Sequence, residues 1–288
     1  AIGVEFGYFY NSMGTKVTIV EFMPKVVPVE DEDISKELEK SLKKQGIEIM
    51  TSSEVTKVDT TGNGVKATVK TANGDTTLEA DILLSAVGVT ANIENMGLET
   101  LGVKTERGLI SVDKFYQTSV PGIYAIGDCV PGQALAHVAS KEGIICVENI
   151  GYNDKKYNHQ PEPLDYNNVP GCTYCSPEVA SVGFTEKKAK EAGYEIKVGK
   201  FPLSASGKAT AAGHQEGFIK VIFDAKYGEW LGTHMIGYNV TEIIAETVVA
   251  RKLETTYHEV LNSIHPHPTI SESTKDAIEL AYGEAIHL

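Results

Sequence analysis

The sequence predicts a chain of α/β and α+β class, and three observations carry that prediction. A helix-like stretch, a short turn and an apolar strand open the chain between Ala1 and Glu21. A strand ending in Gly127-Asp128 and a long helix with one apolar face occupy its middle. Strand-like and helix-like stretches then alternate from Glu178 onward and close on His265-Pro266-His267-Pro268 and a final helix. Alternation first, then a sheet with covering helices, sets the class before any residue has a role. Three segments are expected: 1–87, 88–160 and 161–288.

Bulk properties exclude several functions. A chain of 288 residues buries large cores and suggests two or three domains. Hydrophobic residues make up 42% and charged residues 23%, the balance of a globular protein in water. The formal charge of −13 argues against nucleic acid or an anionic membrane as partner. No apolar run approaches the roughly 20 residues of a membrane span; the best, 82–89, is broken by Ser85 and Gly88. Four cysteines are too few for a disulfide scaffold and fit a reducing compartment. Cys172-Thr173-Tyr174-Cys175 has neither a second pair nor spaced histidines for zinc, so no metal site is expected.

Ala1-Ile2-Gly3-Val4-Glu5-Phe6-Gly7 runs straight into a helix ending near Gly14, and Lys16 to Glu21 follows as a strand. Helix, turn and acid-ended strand make the second half of a Rossmann unit, incomplete at its start. Gly3 fits the last glycine of the G-x-G-x-x-G fingerprint, the one that packs helix on strand; the first strand is expected before Ala1. Gly7 permits a close approach to the sheet. Glu21 stands where an acid binds adenosine ribose hydroxyls and repels a 2′-phosphate, which favours NAD over NADP. A packing glycine and a solvated acid are the competing reading.

Residues 32–44 form an amphipathic helix with Ile34, Leu38 and Leu42 on one face, Glu32/Lys36 and Glu39/Lys43 as pairs, and Gly46 as stop. A short strand follows at 47–50. Alternating runs at 55–58, 65–69 and 76–78, with glycine turns between, give an antiparallel meander. Residues 81–88 read as a buried strand ending in Gly88.

Residues 123–126 read as a strand ended by Gly127-Asp128, and a helix is expected over 134–150. Asp128 can accept sugar hydroxyls. The free amides at Ala134, Leu135, Ala136 and His137 can hydrogen-bond an electron-rich ring. A polar connector at 153–165 leads to strands at 178–184, 194–203, 218–223 and 230–236, a short helix capped by Thr185, and helices at 240–252 and 257–264. A mixed sheet covered by helices is the expected result.

The segment His265-Pro266-His267-Pro268-Thr269-Ile270-Ser271-Glu272 sets two imidazoles and a carboxylate before a helix start. Glu272 can reach back to His267, the logic of a base oriented by an acid. Thr269-x-x-Glu272 is equally a capping box that needs no catalysis. His265 reads as structural.

The H-P-H-P-T-I-S-E string resembles the active-site segment of the flavin-dependent pyridine nucleotide–disulfide oxidoreductases, in their dihydrolipoamide-oxidising branch. The Y-A-I-G-D…A-L-A-H string resembles their second FAD motif, and P-E-V-A-S-V-G-F-T-E the opening of their dimerisation domain. The resemblance implies His267 as proton-transferring base with Glu272 as its partner. It implies Asp128 and the 134–137 amides on FAD. It implies Gly3, Glu5, Glu21, Val55 and Gly88 at the NAD site, with plain core the alternative for Val55 and Gly88. It further implies a homodimer through the C-terminal domain, dihydrolipoyl groups of 2-oxo acid dehydrogenase complexes as partners, and a cytoplasmic location, or the mitochondrial matrix in a eukaryote. Such enzymes carry a first FAD-binding unit and a C-x4-C pair ahead of the NAD domain. Neither is in this chain, which reads as a piece of a longer protein, inactive alone. The alternatives are another flavin disulfide reductase, glutathione-type or related, and a non-catalytic NAD-binding and dimerisation module.

Overall fold

The computed structural model describes residues 1–286. Helix α1 (Ile2–Ser12) lies against strand β1 (Thr18–Val20), and a Cβ on Gly7 would come within 3.1 Å of the Ile19 side chain, so glycine is what allows the approach. Strand β1 pairs in parallel with β2 (Glu48–Met50), joined through α2 (Glu32–Lys44). Asp31 caps α2 by accepting the Asp33 N–H, while Lys43 and Lys44 complement the dipole at its far end. Ile34, Leu38 and Leu42 are fully buried, and Glu32–Lys36 and Glu39–Lys43 pair as spaced, at 2.8 and 2.6 Å. The meander forms as β3 (Glu54–Thr61), β4 (Gly64–Thr71) and β5 (Gly74–Ala80), antiparallel throughout.

Residues 81–88 differ from the buried strand expected of them. They join no strand among the described residues, and Ile82 is 83% and Val87 96% exposed. An apolar run becomes a strand only where a neighbour takes its backbone N–H and C=O groups.

The chain forms two compact units, one of Ala1–Ala86 with the chain from Pro170 onward, the other Val87–Val169. In the second unit, α3 (Leu98–Leu101) and the strand pair β6 (Thr105–Glu106) and β7 (Leu109–Ile110) surround a core of Leu98, Val103, Ile110 and Val130. The expected strand at 123–126 reduces to a single bridge between Gln117 and Tyr124. A 3₁₀ turn at Gly127–Cys129 precedes α4 (Ala136–Asn153), which starts two residues later than expected.

The rest of the first unit is a five-stranded sheet in the order β10-β11-β12-β9-β8: β8 (Gly171–Thr173), β9 (Glu178–Gly183), β10 (Ile196–Pro202), β11 (Phe218–Asp224) and β12 (Trp230–Gly237). Every pairing is antiparallel, so the sheet is not mixed as expected. Each residue of β11 and β12 is buried, because helices cover the sheet. These are α5 (Glu186–Glu191, capped by Thr185), α6 (Gly207–Ala212), α7 (Val240–Lys252), α8 (Tyr257–Leu261) and α9 (Glu272–Tyr282). Val26, Leu38 and Ile47 share one core with Val179, Phe218 and Ile236, so the two halves of this unit are continuous. A buried charge node reinforces that seam. Lys220, 3% exposed, donates to Asp31 at 2.8 Å, Asp33 at 3.1 Å and Glu186 at 2.8 Å. Burial opposes its charge, but the three carboxylates outweigh this and raise the ammonium pKa.

Candidate active site and cofactor-binding segments

The structure brings His267 and Glu272 together. His267 Nδ1 stands 2.9 Å from Glu272 Oε1, while the imidazole is 78% exposed and the carboxylate 28%. Glu272 opens α9, and its second oxygen accepts the Thr269 N–H at 2.8 Å. Half of the expected capping box is therefore present. The other half is not: the Thr269 hydroxyl contacts Pro266 O at 2.7 Å and Ser271 Oγ at 2.9 Å, and α9 has no side-chain cap bond. Dyad and cap are thus one device, in which a single carboxylate serves the helix start and the imidazole. Burial acts against the charge on Glu272, yet the Thr269 amide and His267 hold its carboxyl below the usual range. In the neutral tautomer whose Nδ1–H donates to that carboxylate, the lone pair lies on Nε2, and the ring is largely open to solvent.

His265 has a partner that sequence reasoning missed. Its Nε2 lies 2.8 Å from Glu246 Oε1, and its side chain is 9% exposed. The Glu246 contact raises the imidazole pKa against the opposing effect of burial. Glu246 comes from α7, 19 residues away, and nothing in its local pattern announces the pairing.

The nucleotide candidates of the first unit lie on its opening elements. Gly3 sits in the first turn of α1, where a Cβ would meet Ala86 Cβ at 3.5 Å. Glu21 follows β1 directly, and its carboxylate accepts the Met23 N–H at 2.8 Å. Glu5 is engaged elsewhere, accepting the Tyr174 N–H at 2.8 Å and tying α1 to the β8–β9 turn. Val55 is an exposed residue of β3. Within the second unit, Gly88 has φ of +125° with open space where a Cβ would stand, so only glycine suits it without strain. Asp128 is exposed in the 3₁₀ turn. Ala134 precedes α4, and the Leu135 N–H donates to Gln133 O at 2.8 Å, which corrects the expected donor set. The first turn of α4 begins at Ala136 and includes His137 and Val138.

All four cysteines are free thiols. Burial pushes the Cys175 thiol up to about 12 and raises Cys172 as well, which disfavours thiolate chemistry at this C-x-x-C. Among the described residues no group of three or more His, Cys, Asp or Glu is placed to hold a metal ion, and no helix is long and apolar enough to cross a membrane.

The pyridine nucleotide-disulphide oxidoreductase model matches residues 1–143, and the model of that family's dimerisation domain matches residues 169–278. The chain belongs to the pyridine nucleotide-disulphide oxidoreductase family. Relatives within it include the dihydrolipoyl dehydrogenase of Rhizobium etli, 51% identical over the whole of this chain and 59% of that protein. The mitochondrial dihydrolipoyl dehydrogenase of Pisum sativum is 40% identical over the whole chain and 56% of its own length. Among solved structures, LpdA from Mycobacterium tuberculosis superposes with a TM-score of 0.86 at 27% identity, covering 96% of this chain and 59% of that one. The HOCl-induced flavoprotein disulfide reductase RclA from Escherichia coli gives 0.85 at 28% identity, over 97% and 62%. The chain spans about 60% of the length of the curated relatives it matches.

Membership implies flavin and nicotinamide cofactors, and the donor set fits them. Asp128 offers an exposed carboxylate in the turn ahead of α4, Gly7 gives the helix–strand approach of a dinucleotide fold, and Glu21 directly follows β1.

Proposed function

We propose that this chain supplies the NAD-binding, FAD-contacting and proton-transferring parts of an enzyme that oxidises dihydrolipoamide to lipoamide with NAD⁺ as acceptor. The observation that carries this reading is the His267–Glu272 pair, joined at 2.9 Å within H-P-H-P-T-I-S-E. Residues 1–87 act as the NAD-binding segment, 88–160 as the FAD-contacting segment and 161–288 as the dimerisation segment. FAD, when bound, relays electrons from the thiols to the nicotinamide.

The residues of this chain bind, orient and move protons. His267 Nε2 takes the proton of a substrate thiol, and Glu272 holds the imidazole in the tautomer that leaves Nε2 basic and stabilises the imidazolium that forms. Glu21 accepts the adenosine ribose hydroxyls of NAD, Gly3 gives a backbone contact to it, and Val55 lines the adenine side. Asp128 accepts hydroxyls of the FAD sugar chain, and the first-turn amides of α4 at Ala136 and His137 face the electron-rich end of the flavin ring. Glu5 accepts the Tyr174 N–H through one oxygen and offers the other to the nucleotide side. Dihydrolipoyl groups of 2-oxo acid dehydrogenase complexes are the substrate partners, the C-terminal segment forms a homodimer, and the compartment is the cytoplasm or, in a eukaryote, the mitochondrial matrix.

The test is dihydrolipoamide-dependent NAD⁺ reduction. It is measured with the chain alone and with the chain extended at its N-terminus by the corresponding region of the Rhizobium etli relative. Activity in the extended chain, and not with glutathione, supports the reading. Activity with glutathione and none with dihydrolipoamide would move the chain to another branch of the family.

A further inference from the structure

The second unit holds a buried carboxylate that the proposed chemistry does not use. Glu142 of α4 is 1% exposed, flanked on the inner helix face by Val138 and Ile145. Both of its oxygens are engaged. Oε2 accepts the Gly127 N–H at 2.6 Å, and Oε1 accepts the Tyr166 hydroxyl at 2.5 Å. Tyr166 stands in turn 3.5 Å from the Tyr116 hydroxyl, and its carbonyl accepts the Gln133 side-chain amide at 3.4 Å. Burial, and then the Glu142 contact, raise the Tyr166 pKa, so the phenol remains a donor.

Contacts around this residue leave little freedom. Gly127 has φ of +73°, and a Cβ there would stand 3.1 Å from Ala139 Cβ. A Cβ on Gly132 would come within 3.0 Å of the Tyr166 ring. Gly143, next to Glu142, lies so close to Ile126 that a Cβ would meet its Cδ1 at 3.2 Å. The turn bearing Asp128 and the loop entering α4 are therefore both fastened to one carboxylate. A buried carboxylate costs free energy unless its oxygens are satisfied; here one donor, the Gly127 N–H, belongs to the turn that bears Asp128, and the other, the Tyr166 hydroxyl, belongs to a residue that accepts from Gln133 and packs on Gly132 in the loop entering α4.

We infer that Glu142 is a positioning residue for the flavin: through Gly127 it fixes the turn that presents Asp128, and through Tyr166 it fixes the loop that leads to the α4 N-terminus. This rests on the proposed flavin reading of Asp128. Gln preserves the arrangement, because its carbonyl oxygen can accept from Gly127 while its amide donates to the Tyr166 oxygen. Leu removes both contacts, and Tyr166→Phe removes one.

The experiment compares Glu142→Leu, Glu142→Gln, Tyr166→Phe and Asp128→Asn in the N-terminally extended chain. Amide hydrogen exchange at Gly127 and Asp128 and the dissociation constant of FAD, read by flavin fluorescence, are measured for each. Glu142→Leu should accelerate exchange at Gly127 on the order of tenfold and weaken FAD by a similar factor. Tyr166→Phe should give a smaller change of the same sign, and Glu142→Gln should restore both readouts. Where Glu142→Leu fails to fold, Tyr166→Phe with the Gln variant decides alone. FAD held as tightly by Glu142→Leu or Tyr166→Phe as by the wild type, while Asp128→Asn loses it, would overturn the inference. FAD unaffected by Asp128→Asn, or no FAD bound by the wild type, would instead sink the flavin reading on which it rests.

Discussion

Two His–Glu pairs lie two residues apart in this chain and sit in opposite environments. His265 is 9% exposed and reaches Glu246 through Nε2; His267 is 78% exposed and reaches Glu272 through Nδ1. The first pair spans 19 residues and fastens the proline-rich segment to α7. The second is local, with Glu272 five residues on in the first turn of α9. A carboxylate partner alone does not make a general base. What separates the pairs is the rest of the ring: Nδ1 of His265 is enclosed, whereas the His267 imidazole is open to solvent, as a proposed base must be. In the proposed reading, the buried pair anchors the segment that carries the exposed one.

Substitutions can break this comparison at either end. The largest effect is expected for His267→Gln, which in the extended chain should lower dihydrolipoamide oxidation by about 10²- to 10⁴-fold, the range of general-base catalysis, with the unfolding midpoint unchanged. Glu246→Ala should do the reverse. By leaving an imidazole without its carboxylate, it should cost about 1–3 kcal/mol of stability in a denaturant titration, with a smaller loss of rate. The pH dependence sharpens the contrast further. The folded pKa of His265 is raised by Glu246, so its stabilising contribution is complete below the ordinary histidine value of about 6.5 and disappears as pH rises through the raised value. The stability difference between wild type and His265→Gln should therefore shrink on the alkaline side. Glu272 has the opposite sign. Its pKa is depressed, so its contribution is present above the ordinary glutamate value of about 4.3 and is lost as pH falls through the folded value. The difference between wild type and Glu272→Gln should close only in acid, and it should be the smallest of these effects because the carboxylate is partly solvated.

Local signals were legible in the sequence, and distant pairings were not. Helix α2 runs over Glu32–Lys44 as its apolar spacing and charge pattern imply, because caps, face and terminal charges agree. His267 and Glu272 lie close enough in the chain for their spacing to predict contact. Residues 81–88 show the opposite case. Their apolar run is as strand-like as Phe218–Asp224, yet the latter has partners on both sides and is buried, while the former has none among the described residues. Strand formation is a property of pairs, and sequence reports one member at a time. Glu142 was legible in principle, since Val138, Ile145 and Asn149 place it on the inner stripe of α4, where a lone carboxylate demands partners. Glu246 gave no such signal.

If His267 moves the thiol proton in a flavin- and NAD-dependent reaction, its loss affects one half-reaction and spares the other. Rapid mixing separates the two half-reactions. Flavin reduction by dihydrolipoamide and flavin reduction by NADH would be followed in the extended chain and in its His267→Gln variant. The substitution should slow reduction by dihydrolipoamide at least about a hundredfold, within the range expected for a lost general base, and leave reduction by NADH unchanged. Equal rates with dihydrolipoamide in the two proteins would contradict it, and would leave His267 and Glu272 as the capped start of a helix.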